Sequence, residues 1–308
     1  MTIKNQKNIF NTCCQSIVII NEQGYIEQAN HAFFTTTGLT ARQIAGKSFY
    51  NLFSSSRNLN YYYYIWRELR RNQFWQGEIW LKKADNNRFP SLVNISLYEQ
   101  GNLSTCYIAF ISDLTEQKQK QKRLETLAYY DLLTGLPNRI LFNDRLSVAI
   151  ELAKRNQHQL AILFIDLDNF KPINDQLGHL AGDKLLKCLA HRMQKNIRES
   201  DTIARFGGDE FIIILNNTQG EIYVKEVAEK LKSIICEPIH LGQNIININV
   251  SIGISLYPEH DISGKGLQHK ADLAMYRAKR AHTVGIDFFD PRQFNPATVN
   301  HASLAKAL

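Results

Sequence analysis

Carboxylates beside a bare backbone turn are well placed to hold a metal-bound phosphate. This chain offers such a place in Arg205-Phe206-Gly207-Gly208-Asp209-Glu210-Phe211. Thr202-Ile203-Ala204 before it is β-prone and Phe211-Ile212-Ile213-Ile214-Leu215 after it is strongly apolar, so the two glycines read as a tight hairpin turn. Glycine permits positive φ and leaves no side chain between the turn and a bound molecule. Asp209 and Glu210 follow on the first residues of the return strand. Successive strand residues face opposite sides, so the two acids are expected to take different roles. Taken alone, an ordinary hairpin with a solvated acidic end accounts for the same pattern.

A second stretch shifts the weighting. Leu160-Ala161-Ile162-Leu163-Phe164-Ile165 is short and wholly apolar, as expected for a strand buried on both faces. It ends in Asp166-Leu167-Asp168-Asn169-Phe170-Lys171, followed by Asn174-Asp175, Gly178-His179 and Gly182-Asp183-Lys184. Polar groups just past the end of a buried strand are where open α/β sheets bind ligands. The pattern Phe164-x-Asp166-x-Asp168-x-Phe170-Lys171-x-x-Asn174-Asp175-x-x-Gly178-His179-x-x-Gly182-Asp183, with the hairpin after it, resembles the GGDEF domain of diguanylate cyclases. So does Asp131-x-Leu133-Thr134-Gly135-Leu136-Pro137-Asn138-Arg139 before it. The resemblance runs roughly from Leu127 to Asp290, the size of one domain.

This resemblance implies a ferredoxin-like, palm-type α+β domain that condenses two GTP into cyclic di-GMP and two pyrophosphates. Divalent ions, Mg²⁺ or Mn²⁺, would lower the charge on the triphosphate and align attacker with leaving group. The implied metal ligands are Asp166, the Leu167 carbonyl and Asp209. Asp209 is also the implied base for the 3′-hydroxyl, with Glu210 a further catalytic candidate. Asn174 and Asp183 are assigned to guanine, with His179 nearby. Asn169 and Phe170 offer backbone N–H groups to phosphate, Lys171 a charge, and Lys279 matches the family's phosphate-binding lysine. The chain departs from the family at His282-Thr283-Val284, where Thr283 stands in place of the usual arginine; Arg280 or His282 is left as a substitute. Arg198-Glu199-Ser200-Asp201 matches the RxxD product-inhibition motif, with a surface Arg–Asp pair as the ordinary alternative.

The elements that must position these residues follow from pattern. Asn138 suits an N-cap for a helix through Ile140, Leu146 and Leu152. Helices are expected over Gly182–Ile197, Val224–Ile235 and Leu267–Arg280, and a strand over Ile245–Ser255. The order β-α-β-β-α-β is that of the ferredoxin-like fold.

Residues 1–113 read as a separate α+β domain. Ile17–Ile20 and Tyr25–Asn30 form a hairpin, short helices follow at Ala32–Thr36 and Ala41–Ile44, and three half-buried antiparallel strands close it. The order, with Trp75-x-Gly77-Glu78 and the closing Asp113-x-Thr115, resembles a PAS sensor domain. Its aromatics (Tyr61 to Tyr64, Trp66, Phe74, Trp75, Trp80) read better as a small core and dimer face than as the lining of a ligand pocket. The ligand of this domain is left unassigned, with neither haem nor flavin expected. Residues 114–130 read as a polar helix, either a solvated linker or a short parallel coiled coil through Leu114, Gln121, Leu124 and Ala128. The cyclase-like domain takes 131–290. Residues 291–308 form a tail of the kind that leads, in relatives, into a phosphodiesterase (EAL) domain; the chain is expected to be a truncation or a cyclase lacking that partner.

Length and composition agree with this division. The 308 residues suffice for two cores, and 44% apolar with 21% charged residues is ordinary for a soluble protein. No run is long and apolar enough for a membrane helix and no secretory signal is visible, so a cytoplasmic protein is expected. Five cysteines without CxxC spacing fit free thiols. The net charge of +7 suits polyphosphate substrates, and no nucleic-acid module is visible. Three readings follow. The first is a PAS-regulated diguanylate cyclase acting as a homodimer, because each domain holds one GTP. The second is a GTP-binding regulatory module for a missing EAL domain. The third is a dimerisation scaffold with a vestigial metal site.

Overall fold

The computed structural model describes residues 9–53, 59–99, 105–242, 244–281 and 285–293, and the chain divides into two units between Arg123 and Leu124. The boundary falls inside the helix that joins the two domains. His282, Thr283 and Val284, and the tail beyond Gln293, lie outside the described residues.

The first unit is built on an antiparallel sheet in the order β2-β1-β5-β4-β3, from β1 (Ser16–Asn21), β2 (Ile26–Ala29), β3 (Phe74–Lys82), β4 (Arg88–Glu99) and β5 (Thr105–Asp113). Helices α1 (His31–Thr37), α2 (Ala41–Ile44) and α3 (Leu59–Asn72) accompany it. Strand alternation sorts the aromatics: Trp75 is buried, while Phe74 and Trp80, which share the opposite face, are exposed. Helix α3 has no counterpart in the sequence expectation. Its apolar residues Ile65, Trp66 and Leu69 fall at helical spacing and are buried. Trp66 meets Tyr107 edge to face, with ring centroids 5.0 Å apart, so these aromatics fill a core.

Helix α4 (Thr115–Tyr129) follows, with the Asp113 carboxylate accepting the Thr115 N–H at 2.8 Å. None of its residues is buried, and Leu124 is 65% exposed.

The second unit carries α5 (Arg139–Asn156), β6 (Gln159–Asp168), α6 (Phe170–Leu177), α7 (His179–Asn196), β7 (Thr202–Gly207), β8 (Glu210–Thr218), α8 (Glu221–Cys236), β9 (Ile239–Leu241), β10 (Asn244–Ile246), β11 (Asn249–Tyr257), α9 (Gly264–Ala281) and β12 (Ile286–Phe288). Its main sheet runs β12-β11-β6-β8-β7. Strand β6 is central and buried on both faces, as its apolar run demands. Leu163, Ile165 and Leu167 pack with α7 and α8, and Ile162 and Phe164 pack with α5 and α9. The single strand expected over Ile245–Ser255 is in fact two. Gly242, at φ +65°, helps fold β10 back on β9 as a separate two-stranded ribbon, and β11 begins only at Asn249.

Candidate active site

The fold delivers the two acidic stretches to one edge. Strand β6 pairs antiparallel with β8 so that Asp166 lies opposite Glu210, and with β11 so that Asp166 lies opposite Ser251. Paired residues share a face, so Glu210, Asp166 and Ser251 form a row across three strands. Asp209 lies in the turn before β8, not on the strand as the sequence reading had it, with Gly207 and Gly208 at φ +142° and +52°. Its carbonyl accepts the Leu167 N–H at 3.3 Å, which ties the hairpin to the strand end. Arg205 fixes the turn from behind: its Nε and Nη2 donate to the Gly208 carbonyl at 3.1 and 2.7 Å.

Lys279 arrives from α9, and its Nζ donates to Asp166 Oδ1 at 2.5 Å. Burial pushes the Asp166 carboxyl above its ordinary range, against the pull of Lys279, and Asp209 and Asp168 push the same way. Burial acts to lower the Lys279 ammonium, but Asp166, Asp209 and Asp168 together outweigh it and raise it. The pair thus differs for a physical reason: the acid is desolvated among other acids, while the lysine faces three of them. Asp168 is itself held by the Ser251 hydroxyl, which donates to its Oδ1 at 2.9 Å.

This donor set fits a hard divalent cation. The Asp166 carboxylate, with Lys279 donating to it, stands within electrostatic reach of Asp209 and Asp168. Among the described residues no three His, Cys, Asp or Glu side chains form a self-sufficient metal cage. An ion that keeps waters and takes substrate phosphates needs no such cage.

Beyond Asp168 the chain turns through Asn169 at φ +57° into α6. Phe170 is buried and anchors that helix, leaving Lys171 exposed on its first turn. Asn174 lies on α6 and Asp183 on α7, both half-buried. A Cβ on Gly182 would stand 1.9 Å from Asn174 Oδ1, so only glycine lets the Asn174 amide rest against the backbone just before Asp183. His179 opens α7 and is exposed. On the other face of the sheet, an open groove between α5 and α9, lined by Leu146, Ile150, Phe206 and Met275, reaches Asp166 and Lys279.

Arg198 and Asp201 do not join this group. They precede β7, whose six residues span about 20 Å before the hairpin. Asp201 is half-buried and structural: its Oδ1 accepts the Asn216 N–H at 2.9 Å and its Oδ2 the Arg198 N–H at 3.3 Å. No ion pair within 4.0 Å joins the Arg198 and Asp201 side chains among the described residues, although the Arg198 charge acts on the Asp201 carboxyl against the effect of its burial.

Sequence reasoning named Glu210 as a further candidate and gave no role to Arg205, Asp168 or Ser251. Glu210 was legible in principle, because it heads the strand that pairs with the one ending in Asp166. The other three act through partners remote in sequence.

Comparison with known proteins adds a family. A family model described as "Diguanylate cyclase, GGDEF domain" matches residues 128–284, and one described as "PAS domain" matches 15–116. The diguanylate cyclase TpbB of Pseudomonas aeruginosa is 46% identical over 154 residues, covering 50% of this chain and 35% of its own length. The cyclic di-GMP phosphodiesterase PdeR of Escherichia coli is 31% identical over 283 residues, covering 90% of this chain and 42% of its own. The chain therefore spans less than half the length of either relative. The solved GGDEF domain of TpbB superposes with a TM-score of 0.51 at 43% identity, covering 53% of this chain and 95% of that one.

Proposed function

Because the chain belongs to the GGDEF family of diguanylate cyclases, with a PAS domain ahead of the GGDEF domain, we propose that it condenses two GTP into cyclic di-GMP and two pyrophosphates. Family membership assigns it to cyclic di-GMP signalling. The observation that carries the finer reading is the meeting of Asp166, Glu210, Lys279 and the turn that carries Asp209 at one sheet edge.

In this reading Asp166, the Leu167 carbonyl and Asp209 are the residues that would hold Mg²⁺. A bound divalent ion neutralises the triphosphate and holds the attacked phosphorus and its leaving group in line. Asn174 and Asp183 hold the guanine edge, Asp183 accepting from N1–H and N2–H₂. His179 stands beside the base. The N–H groups after Asn169 and the Lys171 and Lys279 ammoniums hold the phosphates. The Lys279 ammonium, which donates to Asp166 in the free protein, would be available to phosphate oxygen once that carboxylate is engaged elsewhere. Asp209 accepts the 3′-hydroxyl proton as the oxygen bonds to the α-phosphorus of the second GTP and the bond to pyrophosphate breaks. Glu210, opposite Asp166, keeps the local charge negative enough to retain the cation. A second round closes the ring. Each domain holds one GTP, so two copies must face each other, and α4 is the segment through which the PAS domain sets that arrangement. Product bound at Arg198 and Asp201 restrains it.

One observation favours a second reading, a GTP-binding regulatory module: the relative aligned over 90% of this chain is a phosphodiesterase. Incubation with GTP and Mg²⁺, followed by chromatography of the nucleotides, separates the two. Cyclic di-GMP supports the cyclase. Bound but unconverted GTP supports the module and rejects the cyclase.

A further inference from the structure

The turn at Arg198 to Asp201 has a neighbour that its motif does not include. Tyr223, in the first turn of α8, is half-buried against the core, and the Arg198 guanidinium carbon lies 5.0 Å from the centroid of its ring. The turn itself is stiff. Asp201 N–H donates to the Arg198 carbonyl at 3.0 Å, and the Asn216 amide donates to the Ser200 carbonyl at 2.6 Å. Both Asp201 oxygens already accept a backbone N–H, from Asn216 and Arg198. The backbone and the acid are therefore fixed by β8, and the arginine side chain is the part left to be positioned. A guanidinium resting on an aromatic face keeps its in-plane N–H edge free, and that planar fork matches two adjacent acceptors such as O6 and N7 of guanine.

We propose that Tyr223 is a positioning residue for a guanine-binding regulatory site, its ring holding the Arg198 guanidinium flat beside the fixed Asp201 carboxylate so that the arginine edge reads the base of a cyclic guanine dinucleotide. The proposal rests on the reading of Arg198 and Asp201 as a product site. A long flexible arginine loses rotamer freedom when it binds, and a ring that already holds it reduces that loss. Lysine at 198 would keep the charge without the planar edge.

Calorimetric titration of cyclic di-GMP into the full chain tests this. Tyr223→Leu is expected to weaken binding about three- to fivefold, the scale of an exposed cation–π contact. Tyr223→Phe keeps the ring and is expected to bind as the wild type does. Arg198→Ala and Arg198→Lys are both expected to lose tenfold or more. Wild-type affinity in a folded Tyr223→Leu, or equal weakening by Tyr223→Phe, overturns the role of the ring. Should Tyr223→Leu fail to fold, Arg198→Lys decides, and retained affinity there overturns the planar reading. Undiminished binding by Arg198→Ala instead removes the product-site reading on which the inference stands.

Discussion

Arg205 Nη1 donates to both carboxylate oxygens of Asp131, at 3.0 and 3.1 Å, across 74 positions of sequence. The same guanidinium holds the Gly208 carbonyl. Asp131, two residues past the end of α4, and the turn that carries Asp209 are thus bound to one side chain. Asp131 is further held by the Thr134 N–H at 2.8 Å, and the Arg205 N–H donates to the Pro137 carbonyl at 3.0 Å. Arg205→Gln is expected to destabilise the domain by about 2 kcal/mol, the scale of a charged hydrogen-bonded pair losing one member, and to lower turnover about tenfold by freeing the turn. Denaturant titration and a GTP turnover assay check both effects. Unchanged turnover in a destabilised variant would restrict Arg205 to folding.

Gly182→Ala tests the proposed guanine contact of Asn174. The new methyl would stand 1.9 Å from Asn174 Oδ1 and must displace that amide. GTP affinity is expected to fall about tenfold or more, the scale of one bidentate base contact. Titration with GTP in Mg²⁺ measures it, and wild-type affinity would remove Asn174 from the site.

The meeting of the Asp166 strand end with the Gly207–Gly208 hairpin was legible in sequence, as an apolar run ending in acids and a glycine turn between β-prone runs. What escaped was set by tertiary contact. Helix α3 carries a run of four tyrosines, Tyr61 to Tyr64, which hides the Ile65, Trp66 and Leu69 stripe that buries it. The apolar Ile245–Ser255 run gives no local sign that β10 leaves the main sheet to pair with β9. Arg205 and Ser251 look like ordinary strand residues until Asp131 and Asp168 reach them from other elements.

Asp166 is 8% exposed and its carboxyl is raised by burial, with Asp209 and Asp168 adding to the effect. A carboxyl raised on folding favours the fold while protonated and costs stability once pH passes its folded value. Asp166→Asn is therefore expected to raise the melting temperature of the metal-free protein by about 2–4 °C, the shift that ~1 kcal/mol makes in a chain of this size, while abolishing turnover. Mg²⁺ is expected to raise the melting temperature of the wild type and not of Asp166→Asn. A lower melting temperature for the variant would show that the Lys279 pair outweighs the desolvation of the acid.

On the acid side, Asp261 behaves oppositely. The Lys270 ammonium, donating to its Oδ2 at 2.7 Å, and the Ser263 N–H hold its pKa down to about 2, from an ordinary value of 3.8. A depressed carboxyl stabilises the fold above its unfolded pKa, and that contribution is lost as pH falls from about 4 to about 2. Asp261→Asn is expected to flatten the pH dependence of unfolding in that window and leave it unchanged above pH 5. Thermal melts between pH 2 and 7 measure this. An identical profile for the variant would contradict it.

The central claim is that Asp166 and Asp209 act together on one cation to join two GTP molecules. Its most direct test is the rate of cyclic di-GMP formation from GTP as Mg²⁺ is raised, in the wild type, Asp166→Asn and Asp209→Asn. The account predicts Mg²⁺-dependent product from the wild type and none from either variant at any Mg²⁺ concentration. Product from either variant at the wild-type rate, or a wild type that binds GTP and Mg²⁺ yet makes no cyclic di-GMP, would contradict it.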